Sequence, residues 1–367
     1  MANHKRPAHA VTLRDVATQA NLSVSTISRA LADHPSIPEA TRDRVKALAR
    51  RMHYQPNGQA RALKRARTDT IGIVIPSLVN PYFAALAAAI QDTAGAHGLG
   101  VIIANADEEP EKLTRAVRTM RNQRVDGMII VPFIDALSTL SALESAALPV
   151  VFVDREIPEL DIPSVTSDPR PGIEAAVEFL RARRQQPLGY LAGPQNTSTG
   201  QQRLEQFLAV RDQLGIAPGP IAEGSYDAQS GYRGTQQLLD EGAKAILAGD
   251  YMMSIGALQA LHERGLALGR DVTLVGFDDF QVFRLQNPPV PVIDQNVAEL
   301  GSRACTLLAQ LIAEDSPGAA EPQPGAPGAA PPHPTRIRIP TKLMHSAFTA
   351  AEAAAATPTP RKGNRNV

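Results

Sequence analysis

The chain has 367 residues, enough for two or three domains, and 43% of them are hydrophobic, enough for sizeable cores. No apolar run approaches the roughly 18–20 residues of a membrane span, and the N-terminal stretch lacks a signal-peptide core, so a cytoplasmic protein is expected. The single cysteine, Cys305, excludes an internal disulfide, and eight His without close ligand pairs argue against a zinc site, so neither metal nor cofactor is expected. Charge is uneven: residues 1–70 carry 13 Lys+Arg against 5 Asp+Glu, the remainder 24 against 32. A basic head on an acidic body points to a polyanion-binding head.

In chain order, Thr12-Leu13-Arg14-Asp15 predicts a helix start with a capping box, followed by Leu13, Val16, Ala17 and Ala20 at helical spacing. Asn21-Leu22 forms a short turn. Ser23 then caps a second helix from Val24 to about Leu31, with Ile27, Ala30 and Leu31 inward. A third helix from about Glu39 to Met52 buries Val45, Leu48 and Ala49. Two short helices joined by a tight turn and closed by a third make a helix-turn-helix.

The run TLRDVATQANLSVSTISRAL, then TRDRV and YQPNGQARALK, resembles the head of the lactose-repressor (LacI-type) family of bacterial regulators. The resemblance implies that Val24, Ser25 and Arg29 read bases. Arg29 suits a bidentate contact to guanine, worth about 1–3 kcal/mol of discrimination, and Val24 an apolar contact such as a thymine methyl. Thr26, Ser28 and Asn57 are candidates for phosphates, and Thr12 and Ser23 complete the DNA-contacting set. Pro38 stands where the family often has a capping Ser, so the third helix must be capped from elsewhere. Pro56 to Arg65 resembles the family's hinge, too poor in apolar surface for an isolated helix. There Leu63 maps to the residue that wedges between base steps in the minor groove, beside Ala60 and Lys64.

From residue 70 strands and helices alternate. Strands are expected at 70–76, 100–105, 126–132, 149–154, 188–192, 220–224, 244–248 and 272–277. Helices are expected at 81–97, 109–123, 136–146, 171–184, 200–214, 229–241, 253–264 and 297–314. Such alternation implies parallel sheets covered by helices, and there are too many strands for one sheet. The expected fold is therefore α/β: an all-α helix-turn-helix head (1–55), a hinge helix and linker (56–69), and two doubly wound lobes (70–345). Lobe 1 takes about 70–168 and 297–345, and lobe 2 about 169–296. This is also the body the resemblance implies, similar to periplasmic sugar-binding proteins. Residues 315–334, rich in Pro, Gly and Ala, read as a flexible insert; TRIRIPTKLM (335–344) reads as a closing strand, and 346–367 as a disordered tail without a leucine heptad.

Doubly wound sheets bind ligands at strand C-terminal ends. Asn80, Tyr82 and Phe83 follow the first strand and Asp154-Arg155 the fourth. Arg203 follows the GPQNTSTG loop, Asp278 follows VGF, and Gln295 follows VPVID. Carboxylates and amides to bond hydroxyl pairs, Arg forks and a stacking ring are what a sugar needs. The set resembles that of periplasmic pentose binders, except that Gly249 stands where those carry an Asn, leaving room for a larger ligand such as a nucleoside. Asp250 reads as a helix cap as readily as a ligand contact. Thr197 stands where purine binders of the family need an Arg.

The reading is a DNA-binding repressor, a homodimer on a palindromic operator, that senses a pentose such as ribose or a nucleoside such as uridine. The alternative is a regulator controlled by a phosphoprotein corepressor. An enzyme is not expected, because GxxxxGK, GxSxG and HExxH motifs are all missing.

Overall fold

The computed structural model describes residues 11–54, 67–144, 146, 148–315 and 335–345. It divides into two compact units between Thr68 and Asp69.

In the first unit, α1 (Leu13–Ala20), α2 (Val24–Leu31) and α3 (Glu39–Arg51) close over a small core of Val16, Ala17, Ile27, Ala30, Val45, Leu48 and Ala49. The capping box forms: the Asp15 amide donates to Thr12 Oγ1 at 3.3 Å, and the Thr12 amide donates to Asp15 Oδ2 at 2.8 Å. Asn21 ends α1 at φ +54°, a left-handed position that Asn tolerates. α3 differs from expectation. Pro38 is its N-cap and no side chain takes the missing serine's place; the Pro38 carbonyl alone opens the helix, accepting from the Thr41 and Arg42 amides.

The second unit contains two six-stranded sheets. The strands of lobe 1 are β1 (Thr70–Ile75), β2 (Gly100–Asn105), β3 (Gly127–Ile130), β4 (Val150–Val153), β5 (Ser164–Asp168) and β11 (Arg336–Pro340), in the order β11-β5-β4-β3-β1-β2. Lobe 2 has β6 (Leu188–Ala192), β7 (Ile221–Glu223), β8 (Ala245–Ala248), β9 (Thr273–Phe277), β10 (Val292–Asp294) and β12 (Lys342–Met344), in the order β12-β10-β9-β8-β6-β7. Every pairing is parallel except β10 with β12. The helices are α4 (Pro81–Ala96), α5 (Pro110–Asn122), α6 (Leu137–Glu144), α7 (Arg170–Ala182), α8 (Ser198–Gln213), α9 (Ala228–Asp240), α10 (Tyr251–Glu263), α11 (Gln281–Arg284) and α12 (Val297–Glu314).

Both faces of each sheet are covered, which is why the central strands read as unbroken apolar runs. On β1, Ile71, Ile73 and Ile75 face α4 and α12, while Val74 faces the α5 side. Gly72 also faces α5: a Cβ there would lie 2.2 Å from Met120 Sδ.

Two expectations are corrected. The reading of 149–154 followed directly by a helix omitted β5, whose sequence SVTSD is polar yet buried. The closing strand is two strands, since the chain leaves lobe 1 at Pro340, turns at Thr341 and joins lobe 2 as β12. The segment 342–344 therefore belongs to lobe 2, not lobe 1. The chain passes between the lobes three times, after β5, β10 and β11. Among the described residues, no helix is long and apolar enough to cross a membrane.

Candidate functional site

In the head, the outer face of α2 carries Val24, Ser25 and Arg29 exposed, with Thr26 and Ser28 half-buried. Ser23 accepts from the Thr26 amide at 3.1 Å, and its hydroxyl bonds those of Ser25 and Thr26, each at 2.8 Å. Thr12 is exposed and engaged with Asp15. The expected hinge contacts, Asn57, Ala60, Leu63 and Lys64, lie outside the described residues.

The second site lies between the lobes. Both sheets have the doubly wound order, so their strand C-terminal ends meet at the cleft. Asp154 and Asp278 end β4 and β9 in the same way, at φ +66° and +65°. Each amide donates to the neighbouring strand, at 3.0 Å to the Val165 carbonyl and 2.8 Å to that of Ile293. The left-handed turn is costly for a side-chain-bearing residue, and these hydrogen bonds hold both carboxylates at the cleft.

A narrow cavity of about 20 Å³ is lined by Tyr82, Phe83, Asp154, Arg155, Arg203, Asp278 and Gln295 of the expected set, together with Thr199, Tyr226 and Asp250. Asn80 lies beside it, in a wider mouth that shares Phe83 and Tyr226. Its side chain caps α4, accepting from the Tyr82 amide at 3.0 Å.

The polar groups form two clusters, one on each lobe's side of the cleft, around Asp154 and around Asp278. Tyr82 Oη donates to Asp154 Oδ1 at 2.6 Å. Gln295 Nε2 donates to Asp278 Oδ1 at 2.7 Å, while its Oε1 accepts from Arg203 Nη2 at 2.8 Å and from Ser167 Oγ at 2.9 Å. Arg203 Nη1 donates to the Gly249 carbonyl at 2.7 Å, and its guanidinium stacks 4.3 Å from the Phe277 ring. Arg155 lies 5.4 Å over the Tyr226 ring, which comes from the other lobe.

Burial sets the titration of these groups. It pushes the Asp278 carboxyl up to about 8; Arg203 and Gln295 oppose the shift, and Asp250 and Asp154 add to it. Burial also raises Asp250. Burial, then the Asp154 charge, holds the Tyr82 phenol well above the usual tyrosine range. Asp250 caps α10, accepting from the Met252 and Met253 amides at 2.7 and 3.1 Å. It is thus both a cap and part of the cavity wall.

Gly249 does not enlarge the cavity. A Cβ there would lie 2.7 Å from the Leu191 carbonyl and 3.0 Å from Tyr190 Oη. Tyr190, stacked on Phe207 at 4.3 Å, fills the space instead, with its buried hydroxyl unpartnered. The sequence reading missed Tyr226, Thr199, Ser167 and Glu108. Tyr226 and Glu108 follow strand C-terminal ends, the same signal that found Asp154. Thr199 and Ser167 offered no such signal.

An all-α helix-turn-helix followed by two doubly wound lobes enclosing a polar cleft defines a regulator that couples a small-molecule site to a DNA-binding head. The pattern of the family described as "Periplasmic binding proteins and sugar binding domain of LacI family" matches residues 68–347, and that of "Bacterial regulatory proteins, lacI family" matches 12–57. The chain belongs to the LacI family of DNA-binding transcriptional repressors. It is 30% identical over 312 residues to the HTH-type transcriptional repressor CytR of Escherichia coli strain K12, covering 83% of this chain and 90% of that protein. It is 29% identical over 303 residues to the ribose operon repressor of Halalkalibacterium halodurans, covering 82% and 90%. Among solved structures, the lac repressor dimer bound to operator and the anti-inducer ONPF matches with a TM-score of 0.78 at 29% identity, covering 91% of this chain and 98% of that one. These relatives are repressors, not enzymes.

Proposed function

We propose that the operator affinity of this repressor is set by a small polyhydroxy effector, a pentose such as ribose or a nucleoside such as uridine, held in the cleft between the lobes. The observation that carries this is the convergence of Tyr82, Phe83, Asp154, Arg155, Arg203, Asp278 and Gln295 on one cavity. The two clusters offer carboxylates for hydroxyl pairs, Arg donors, and rings for the weakly apolar faces of a sugar. Lobe closure around the effector couples to the head as a difference in binding free energy between two states.

On the DNA side, Val24, Ser25 and Arg29 read base edges and Thr12, Ser23, Thr26, Ser28 and Asn57 position the DNA backbone, with Leu63 wedged in the minor groove beside Ala60 and Lys64. Two copies bind a palindromic operator. The edge of lobe 1 supports the dimer: among the described residues β2 pairs with β1 alone, and Val101 and Ile103 on one face and Ile102 on the other are partly exposed, an apolar sheet edge suited to a second copy. A chromosomal operator places the protein in the cytoplasm.

The test is a thermal-melt screen of the full chain against ribose, other pentoses, hexoses, nucleosides and purine bases. A ligand at 100 times its Kd adds roughly 2.7 kcal/mol. The expected result is a rise in Tm with ribose or uridine that is lost in Asp278→Ala and Arg203→Ala. No shift with any of them would move the assignment to a phosphorylated metabolite or a phosphoprotein corepressor.

A further inference from the structure

The loop after β2 carries three consecutive acids, Asp107, Glu108 and Glu109. Lys112 holds two of them, at 2.5 Å from Asp107 Oδ2 and 2.9 Å from Glu109 Oε1. The Asn105 side chain also bonds Asp107. Asp107 and Glu108 both adopt left-handed backbone, at φ +48° and +56°. This turn sends the middle acid the other way, into the cleft. There Glu108 accepts two parallel hydrogen bonds from Arg155, at 2.8 Å from Nη2 and 2.9 Å from Nη1.

Arg155 is 2% exposed, whereas the Glu108 side chain is 45% exposed. A buried guanidinium needs its donors satisfied, and the two terminal nitrogens of Arg155 are committed to a carboxylate contributed by the protein. Burial acts to lower the Arg155 pKa, but the charge and hydrogen bonds of Glu108, with Asp154, outweigh it and raise it. The Nε of Arg155 lacks a hydrogen-bond partner and faces Asp154 Oδ2 at 3.7 Å.

With Arg155 neutralised, the cleft is acidic. In the cavity, Asp154 and Asp250 stand against Arg203, while burial keeps Asp278 protonated below about pH 8. At the mouth, Glu108, Asp135 and Asp227 are the charged groups among the described lining residues, and none is basic. An incoming phosphate or carboxylate meets one other cation, Arg203, whose terminal nitrogens are already held by the Gly249 carbonyl and the Gln295 amide, and must displace Glu108 to reach Arg155.

We propose that Glu108 sets the charge class of the effector: by occupying Arg155, it makes the cleft select uncharged polyols and reject their phosphorylated or carboxylated counterparts. This rests on the reading of the cleft as a polyol site and adds the residue that decides between two kinds of sugar. Bidentate Arg–carboxylate and Arg–phosphate pairs have the same geometry. Removing Glu108 therefore leaves a site that an anion fits.

The experiment is isothermal titration of the full chain with two matched pairs, ribose and ribose 5-phosphate, and uridine and uridine 5′-monophosphate. The proteins are wild type, Glu108→Ala and Glu108→Gln; the glutamine keeps the side-chain length and removes the charge. Wild type is expected to bind one uncharged member and to bind its phosphorylated counterpart about 100-fold more weakly or not at all. Both variants should narrow that ratio by about tenfold or more. The phosphorylated ligand should also raise the melting temperature of Glu108→Ala, which has an unpaired buried Arg155. Wild type binding the phosphorylated member as tightly as the uncharged one would overturn the charge filter and leave the polyol cleft standing. An unchanged ratio in both variants would overturn the role of Glu108. Failure of all four ligands with all three proteins would remove the polyol reading, and the charge filter with it.

Discussion

Asp278 shows how far burial alone sets the behaviour of one residue. Its carboxyl, pushed up to about 8 in the fold against about 3.9 in an unfolded chain, binds a proton on folding across that window. The native state then holds more protons than the unfolded state, so this group's contribution is greatest below pH 4 and falls as pH rises to 8. The unliganded protein should lose melting temperature between pH 5 and 8, and Asp278→Asn should flatten that slope. Parallel slopes in thermal melts of the two proteins would contradict the assignment. Asp278 was legible in the sequence because an acid directly after an apolar strand run has one structural address, the C-terminal edge of the sheet. Glu108 was not, because three adjacent acids look alike until the turn and Lys112 sort them. Gly249 misled for a similar reason: a small residue suggests room, but Tyr190 of the neighbouring strand takes the space.

At the scale of elements, α9 and α10 approach through glycine. A Cβ on Gly256 would lie 2.0 Å from the Ala228 carbonyl oxygen and 2.4 Å from the Tyr232 nitrogen; one on Gly231 would lie 2.3 Å from the Met253 carbonyl oxygen. Overpacking costs about 1–3 kcal/mol where side chains can yield, and here the obstacle is backbone. Gly256→Ala is expected to lower the unfolding free energy from urea melts by an amount at or above that range. Gly95, in α4, meets nothing within 4 Å at its Cβ position. Gly95→Ala should raise the unfolding free energy by about 0.5–1 kcal/mol. The pair predicts opposite signs for one chemical change, and equal signs would refute the packing account. Most elements were readable because buried parallel strands are apolar throughout and helices repeat at 3.6 residues. β5 escaped because SVTSD pairs on both sides through its backbone, between β4 and β11, and is buried by its neighbours despite its polar side chains.

At the scale of the whole molecule, the proposed dimer gives the remaining prediction. Ile103, 37% exposed on β2, lies on an edge open to a second copy. Ile103→Lys places a charge there and should produce a monomer in sedimentation, without changing ribose or uridine binding. Operator affinity should fall by roughly two orders of magnitude or more, because two linked half-site contacts become one. A variant that remains dimeric would remove β2 from the interface. The three passages between the lobes belong to the same scale. Glu156 lies among them: its amide donates to Ser198 Oγ at 3.0 Å, and its carboxylate accepts from Gln202 Nε2 at 3.0 Å and pairs with Arg338.

The residues in their order were enough for the helix-turn-helix, the strand–helix alternation, the charge division and most of the cleft, because each is a local pattern: a cap, a periodicity, an acid at a strand end. Contacts between distant segments were not recoverable that way. That Thr341 divides a closing strand between two sheets, that Tyr226 lies under Arg155 and that Glu108 occupies that arginine all depend on chain segments brought together only when both lobes fold. A sequence pattern records which face of an element is apolar, but not which distant side chain completes a buried charge.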